Sequence, residues 1–239
     1  MSIVAEKIRK YYAEKLVLND ISISINPGEI VGLLGPNGAG KTTFFYSIMG
    51  VIKVNEGKIF VDEKDVTNMP VHMRARIGLG YLAQEPSIFR KLSVEENIYA
   101  AIEVYYNNTE ERKQLLDRML KEFNLEHLRK QKAHTLSGGE KRRCEIARVL
   151  VGKPKYLLLD EPFVGIDPKT IEELQMIVLS LKNKGLGILL TDHNVRETLN
   201  IVDRAYIIYK GEVLIHGDAR KLVNDEQARK IYLGEKFKL

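Results

Sequence analysis

A single cysteine, Cys144, stands among 239 residues. No intramolecular disulfide framework is therefore available, and a cysteine-based zinc site lacks ligands. One thiol suits a reducing compartment. No apolar stretch approaches the roughly 18 residues that cross a bilayer as a helix. The runs IVGLLG and YLLLD have the length of buried strands. The opening MSIVAEKIRK has no long apolar segment, so no signal peptide is expected and the cytoplasm is the expected location. Internal repeats and low-complexity linkers are also missing. Charge of one sign is scarce: 37 Lys and Arg against 32 Asp and Glu leave +5. The charges are interspersed, with no basic block or Arg/aromatic strip, so the plain reading is a solvated surface and no nucleic-acid partner is expected. What is present is an ordinary globular mixture, 44% hydrophobic and 29% charged. At about 100–200 residues per domain the chain makes one large domain or two small ones.

The N-terminal part reads as strands. IVAEKIRKYY, VLNDISISIN and GKIFVD carry β-branched residues in partial alternation, with Ile21, Ile23 and Ile25 on one face. Glu29 to Leu34 is a short apolar run of the kind buried on both faces of a parallel sheet, and a helix is expected from Lys41 to near Gly50. A helical section follows. Ser93 and Glu96 have capping-box spacing, and Val94, Ile98, Ala101 and Tyr105 then share a helical face. A second helix is expected over Glu110 to Phe123, with Leu116, Met119, Leu120 and Phe123 inward, and a third from Ser137 to Gly152. Strands and helices then alternate: KYLLLD, a helix over Lys169 to Lys184, GILLTDH, a short helix over Val195 to Val202, a hairpin around Lys210-Gly211, and a tail helical in pieces. The implied architecture is an α/β core with a helical insertion.

Gly35-Pro36-Asn37-Gly38-Ala39-Gly40-Lys41-Thr42 fits G-x-x-x-x-G-K-[ST], a pattern that chance produces in roughly one such chain in a hundred. A buried-type strand precedes it and a helix follows, as a phosphate-binding loop requires. The glycines let backbone N–H groups surround phosphate oxygens, and the helix N-terminus adds positive potential. Lys41 is suited to neutralise phosphate charge, and the Thr42 hydroxyl to face Mg²⁺. Tyr156 to Asp160 is an apolar strand ending in an acid, with Glu161 next. Asp160 can hold Mg²⁺ through its water shell, while Glu161 points elsewhere and can polarise a water. A solvated Asp-Glu pair capping a turn is the plain alternative, and it weakens once a phosphate loop is present. In Leu136-Ser137-Gly138-Gly139-Glu140 the spacing of Ser137 and Glu140 is again a capping box. Two glycines at the first helical positions are poor helix formers and suit the close approach of an anion.

With LSGGE added to the phosphate loop, the chain resembles the ATP-binding-cassette (ABC) ATPases over essentially its whole length. That resemblance implies an α/β P-loop core, an N-terminal antiparallel β subdomain and a helical subdomain. Here these map to residues 1–84 with 153–239 and to residues 85–152, within one ABC ATPase domain. It implies ATP and Mg²⁺ as cofactors. Gly35 to Thr43 matches the Walker A segment, Thr43 included, and Asp160-Glu161 the Walker B aspartate with its glutamate. Tyr12 is then the aromatic that stacks on adenine, with Tyr11 beside it as a competitor. Gln84 is the Q-loop glutamine, a further metal ligand with Thr42 and Asp160. Gly165-Ile166-Asp167 is the D-loop, and His193 the switch histidine. Glu161, His193 and Lys41 carry catalysis. Family members pair head to tail, so that each ATP lies between one P-loop and the other copy's Ser137, Gly138, Gly139 and Glu140. A homodimer with two equivalent sites is implied. Lys141-Arg142-Arg143 reads as a solvated helix face and Cys144 as core.

Family resemblance also implies two transmembrane permease subunits, with association to the cytoplasmic face of the inner membrane through them. Ile88, Phe89 and Arg90, after Gln84, are the expected docking residues. GYLAQEPSIFRKLSVEENI, LLLDEPFVGIDP, LLTDHNVRETL and the ending YLGEKFKL are similar to the ATPase subunits of lipopolysaccharide export transporters. The stretch RARIGLGY leaves the branched-chain amino-acid importers as an alternative, and a soluble ABC ATPase acting on nucleic acid or ribosomes is a third.

Overall fold

The computed structural model describes residues 1–235 and 237; Lys236, Lys238 and Leu239, the remainder of the YLGEKFKL ending, lie outside the described residues. β1 (Ile3–Tyr12) and β2 (Lys15–Ile25) pair antiparallel, Ile3 opposite Ile25 and Ile8 opposite Ile21. Ile21, Ile23 and Ile25 are buried, as their alternation predicts. After β3 (Ile30–Leu34) and helix α1 (Lys41–Met49), strands β4 (Glu56–Val61) and β5 (Lys64–Asp65) complete a four-stranded antiparallel sheet in the order β2-β1-β4-β5.

Strand β5, helix α2 (Val71–Arg76) and strand β6 (Leu79–Leu82) escape the sequence reading. All three are short, and β6 contains Gly80, so none shows a clear period. Helices α3 (Val94–Tyr105), α4 (Thr109–Glu122) and α5 (Gly138–Leu150) follow, α3 and α5 opened by the expected capping boxes at Ser93 and Ser137. The inner face of α3 is Val94, Ile98 and Ile102; Tyr105 instead stands half exposed, because the helix rotates Ile102 into the core. Then come β7 (Tyr156–Asp160), α6 (Pro168–Asn183), β8 (Gly187–Thr191), α7 (Val195–Leu199), β9 (Arg204–Tyr209), β10 (Glu212–Gly217), and short helices α8 (Ala219–Asn224) and α9 (Glu226–Ala228).

The second sheet has the order β10-β9-β3-β8-β7-β6, parallel except for β10. Its strands β3, β7 and β8 are buried at every position because both faces are covered. Leu157, Leu159, Ile188 and Leu190 point into the core shared with α3–α6; Leu158, Leu189, Val31 and Leu33 point to α1 and the antiparallel sheet. Each such side chain contributes about 1.5–3 kcal/mol on burial. Register then sets the site. Leu82, Leu159 and Leu190 lie on one line across β6, β7 and β8. Gln84, Glu161 and Asp192 each follow two residues later, so all three emerge at the carboxyl edge of the sheet, where open α/β folds bind ligands.

Candidate active site

The loop from β3 to α1 turns on glycines that no other residue replaces without strain. Gly40 has φ +108°, and a Cβ there would stand 2.7 Å from Leu18 Cδ2; one on Gly35 would stand 2.2 Å from the Ile208 carbonyl oxygen. Lys41 folds back into the loop and donates to the carbonyls of Gly35 at 2.7 Å and Pro36 at 3.2 Å. Burial lowers its pKa, opposed by the charges of Glu161 and Asp160. A cavity of about 560 Å³ opens over this loop, lined by Asn37, Gly38, Gly40, Lys41, Thr42 and Thr43, with Glu161 on the same wall. Tyr12 lines it and Tyr11 does not. One face of the Tyr12 ring is covered by the Lys10 ammonium, 5.2 Å from the centroid, and the side chain is 47% exposed.

Lys210 lines the same cavity, along with Lys15, Leu16 and Val17. The hairpin turn places Lys210 there: Lys210 and Gly211 have φ of +50° and +84°, the geometry of a two-residue primed turn. Gly211 N–H donates to the Ala39 carbonyl at 3.1 Å, and its carbonyl accepts from Asn19 N–H at 2.7 Å. The sequence marks the hairpin but not its fold onto the loop.

At the edge of β7, Asp160 is 2% exposed and Glu161 8%. Glu161 is the most constrained residue of the site. Its φ is +48°, which costs a residue with a Cβ roughly 1–2 kcal/mol. Its carboxylate is held at both oxygens: Gln84 Nε2 donates to Oε2 at 2.6 Å, and His193 Nε2 stands 2.7 Å from Oε1. Burial raises its pKa, with His193 pulling the other way. Burial likewise raises Asp160, which accepts the Tyr81 hydroxyl on Oδ2 at 3.2 Å. Sequence reasoning passes over Asp192, which is buried beside them and accepts the backbone N–H groups of Phe163 at 2.9 Å and Asn194 at 2.8 Å. It sits in the run TDH, between a strand end and His193, a position that signals a site only once the register is known.

The fit to a hard divalent cation is by oxygen donors. Thr42 is exposed to the cavity, Asp160 Oδ1 takes no hydrogen bond among the described residues, and Gln84 commits its amide nitrogen to Glu161, leaving its carbonyl oxygen. Mg²⁺ asks for no more protein ligands than that, since it keeps waters and takes phosphate oxygens.

Ser137 Oγ accepts the Glu140 N–H at 3.3 Å, and Glu140 Oε2 accepts the Ser137 N–H at 2.7 Å. Gly139 has a packing reason besides any anion: a Cβ there would lie 2.0 Å from Thr170 Cγ2 on α6. Asp167 caps α6 by accepting the Thr170 N–H at 3.1 Å. None of Ser137, Gly138, Gly139 and Glu140 lines the cavity over the chain's own phosphate loop; Gly138 and Gly165 line a separate depression with Gln84 and Glu161 at its other wall.

The reading of Lys141-Arg142-Arg143 as a solvated face is corrected at Arg142, which is 6% exposed. Its guanidinium donates to the carbonyls of Ala83 at 2.8 Å and Asp160 at 3.0 Å and pairs with Glu145 at 3.2 Å. Glu145 accepts the N–H groups of Ser87 at 2.5 Å and Ile88 at 3.1 Å. The α5 helix thereby holds the segment after Gln84 by its backbone. Cys144 is core, as expected. Ile88 turns inward to the core at 7% exposed and offers no external grip, whereas Phe89 is 50% exposed and Arg90 exposed. Phe89 lies beneath the Arg148 guanidinium, 4.5 Å from the ring centroid, at the rim of a groove of about 500 Å³ lined also by Tyr81, Ala101, Val104 and Tyr105.

Comparison with known proteins places this geometry. The family model described as ABC transporter matches residues 18–164. The chain is 49% identical over 241 residues to the lipopolysaccharide export system ATP-binding protein LptB of Haemophilus influenzae, covering all of both chains. It is 46% identical over 239 residues to the protein of that name from Escherichia coli K12, covering 100% of this chain and 99% of the relative. An uncharacterized ABC transporter ATP-binding protein of Rhizobium meliloti is 52% identical over 238 residues, 100% of this chain and 88% of the relative. Among solved structures, the ADP conformation of an ATP-binding cassette of an ABC transporter superposes with a TM-score of 0.88 at 29% identity, covering 98% of this chain and all of that one. A dimeric post-hydrolysis cassette bound to ADP and Pi superposes with a TM-score of 0.80 at 26% identity, covering 91% and 99%. The chain belongs to the ABC transporter ATPase family.

Proposed function

We propose that this cassette is the ATP-hydrolysing subunit of the transporter that moves lipopolysaccharide from the inner to the outer membrane. The observation that carries hydrolysis is Glu161, a buried carboxylate held at both oxygens by Gln84 and His193 at the wall of the phosphate cavity. Tyr12 stacks the base on the ring face that Lys10 leaves open. Gly35 to Thr43 surround the phosphates, and Lys41 leaves the carbonyls of Gly35 and Pro36 to pair with phosphate oxygens. Thr42, Gln84 and Asp160 would hold Mg²⁺, which would supply the positive charge that neutralises a triphosphate. Glu161 orients the attacking water and accepts its proton, and His193 steadies both from the strand β8 side. A raised Glu161 pKa makes it a better proton acceptor than an ordinary carboxylate.

Two copies act as a homodimer around two ATP. The support is that Ser137, Gly138, Gly139 and Glu140 stand off the chain's own phosphate cavity, so one copy leaves its nucleotide open on that side. ATP favours the closed pair, and hydrolysis removes the differential binding that holds it. Gly165 and Ile166, just ahead of Asp167, pack on Gly138, so the turn that carries Asp167 would reach the second copy together with the signature glycines. The groove under Phe89 and Arg148 receives a helix from each of two transmembrane permeases, with Arg90 at its edge, and so keeps the protein peripheral on the cytoplasmic face of the inner membrane. No helix among the described residues is long and apolar enough to cross a membrane, so passage of cargo falls to those partners. Lipopolysaccharide as cargo is supported by the full-length likeness to the two LptB proteins. The test is steady-state turnover with the purified chain: Mg²⁺-dependent release of phosphate from ATP is expected. Binding of ATP without release, in the wild-type chain and with its permeases present, would contradict the reading.

A further inference from the structure

The family machinery leaves one polar contact at the metal end of the site unexplained. Tyr81 lies on β6 directly opposite Leu158 of β7. Side chains two apart on a strand share a face, so Tyr81 and Asp160 project to the same side of the sheet, diagonal neighbours on adjacent strands. Its hydroxyl reaches Asp160 Oδ2 at 3.2 Å. The ring is itself fixed: Tyr46 of α1 meets it edge-on, centroids 6.4 Å apart and planes at 82°. Tyr46 belongs to the helix that the phosphate loop opens, so Tyr81 spans from that helix to the end of β7. Its ring also forms part of the groove wall near Phe89.

We propose that Tyr81 is a positioning residue for the divalent cation: its hydroxyl holds Oδ2 of Asp160 so that Oδ1 faces the cation's water shell. The inference rests on the metal reading given under Proposed function. A buried carboxylate with one oxygen anchored has one rotamer to offer; without the anchor it turns and shares itself between orientations. Hydrogen-bond partners of a metal-holding group typically set about tenfold or more in metal affinity. Tyr81 does not line the cavity over the phosphate loop, so it acts through Asp160. The groove position means that an occupant pressing on the ring presses on the metal's carboxylate as well.

The readout is nucleotide affinity, measured on the full-length chain with a non-hydrolysable ATP analogue, in EDTA and in Mg²⁺. Tyr81→Phe deletes the hydroxyl and keeps the ring. It is expected to bind the analogue in EDTA within about twofold of wild type and to lose about tenfold of the enhancement that Mg²⁺ gives. Tyr81→Leu, which also lacks the hydroxyl, is expected to lose the same enhancement. Asp160→Asn gives the full loss for reference. Equal weakening in EDTA and in Mg²⁺ would mean a purely structural role and would overturn the proposal, as would a Phe variant with the full Mg²⁺ enhancement. A wild-type chain whose affinity ignores Mg²⁺ would overturn the metal reading itself, and this inference with it.

Discussion

Glu161 gathers more constraint than any neighbouring side chain: a left-handed backbone, a buried carboxylate and two partners on its two oxygens. Residues held in sparsely populated conformations need surroundings that over-determine them, and such strain collects at functional sites. Glu161→Gln keeps the volume and removes the proton acceptor. ATP affinity is expected to stay within a few-fold, while turnover falls about 10²–10⁴-fold, the range for loss of a general base. Wild-type turnover in that variant, followed by phosphate release, would remove Glu161 from the role. Cys144 gives an independent check on the core. Burial pushes its thiol up to about 12, so at pH 8 it is neutral and shielded. The folded chain is expected to leave a thiol reagent unreacted over minutes, and the denatured chain to consume one equivalent.

Among the elements, those with a clear period or a capping box were legible in the sequence. The α3 and α5 caps, the buried β3 and β7, and the inner face of α4 all follow from residue spacing. What spacing does not reveal is which helix face meets another element. Arg142 looks like surface in a run of three basic residues, yet its partners are backbone carbonyls more than fifty residues earlier and eighteen later. Tyr81 and Asp192 were missed because each reaches the site through strand register, which one sequence does not display, and Lys210 because the turn between β9 and β10 folds onto Ala39 and Asn19. Arg74 is a further case. It is fully buried and donates to the carbonyls of Ser47, Ile48, Thr67 and Met69, tying α2 to the end of α1. Burial lowers its guanidinium to about 10, still charged at neutral pH. Arg74→Met leaves the carbonyls of Ile48, Thr67 and Met69 without this donor, while Ser47 keeps the Gly50 N–H, and is expected to cost about 3 kcal/mol. For a chain of this size that corresponds to roughly 6–12 °C in melting temperature, measured by calorimetry. At the groove, Phe89→Ala removes an exposed ring and is expected to leave the melting temperature within about 2 °C. Detergent-extracted complexes should then carry less of the permeases. Undiminished co-purification would take the docking role from Phe89.

At the scale of the whole molecule, the sheet brings the ends of β3, β6, β7 and β8 to one edge, where the phosphate loop, Gln84, Glu161 and Asp192 gather. The start of α5 stands off the phosphate cavity and shares a second depression with Gln84 and Glu161. The fold class was readable because the P-loop, LSGGE and the Asp-Glu strand occur in one order, and that order also named the residues the structure gathers around the phosphate loop. The proposed cargo rests on likeness alone, since none of the motifs read above selects a lipid. A single chain of this design is expected to be monomeric without nucleotide and, as the Glu161→Gln variant with ATP, to elute at twice the mass in light scattering. The most direct test is to express tagged Glu161→Gln protein in its native cell, extract membranes in mild detergent with ATP present, and identify what co-purifies. Two polytopic membrane proteins together with lipopolysaccharide are the predicted result. Ribosomes or nucleic acid with no membrane partner, or permeases accompanied by a periplasmic amino-acid-binding protein and no lipopolysaccharide, would contradict it.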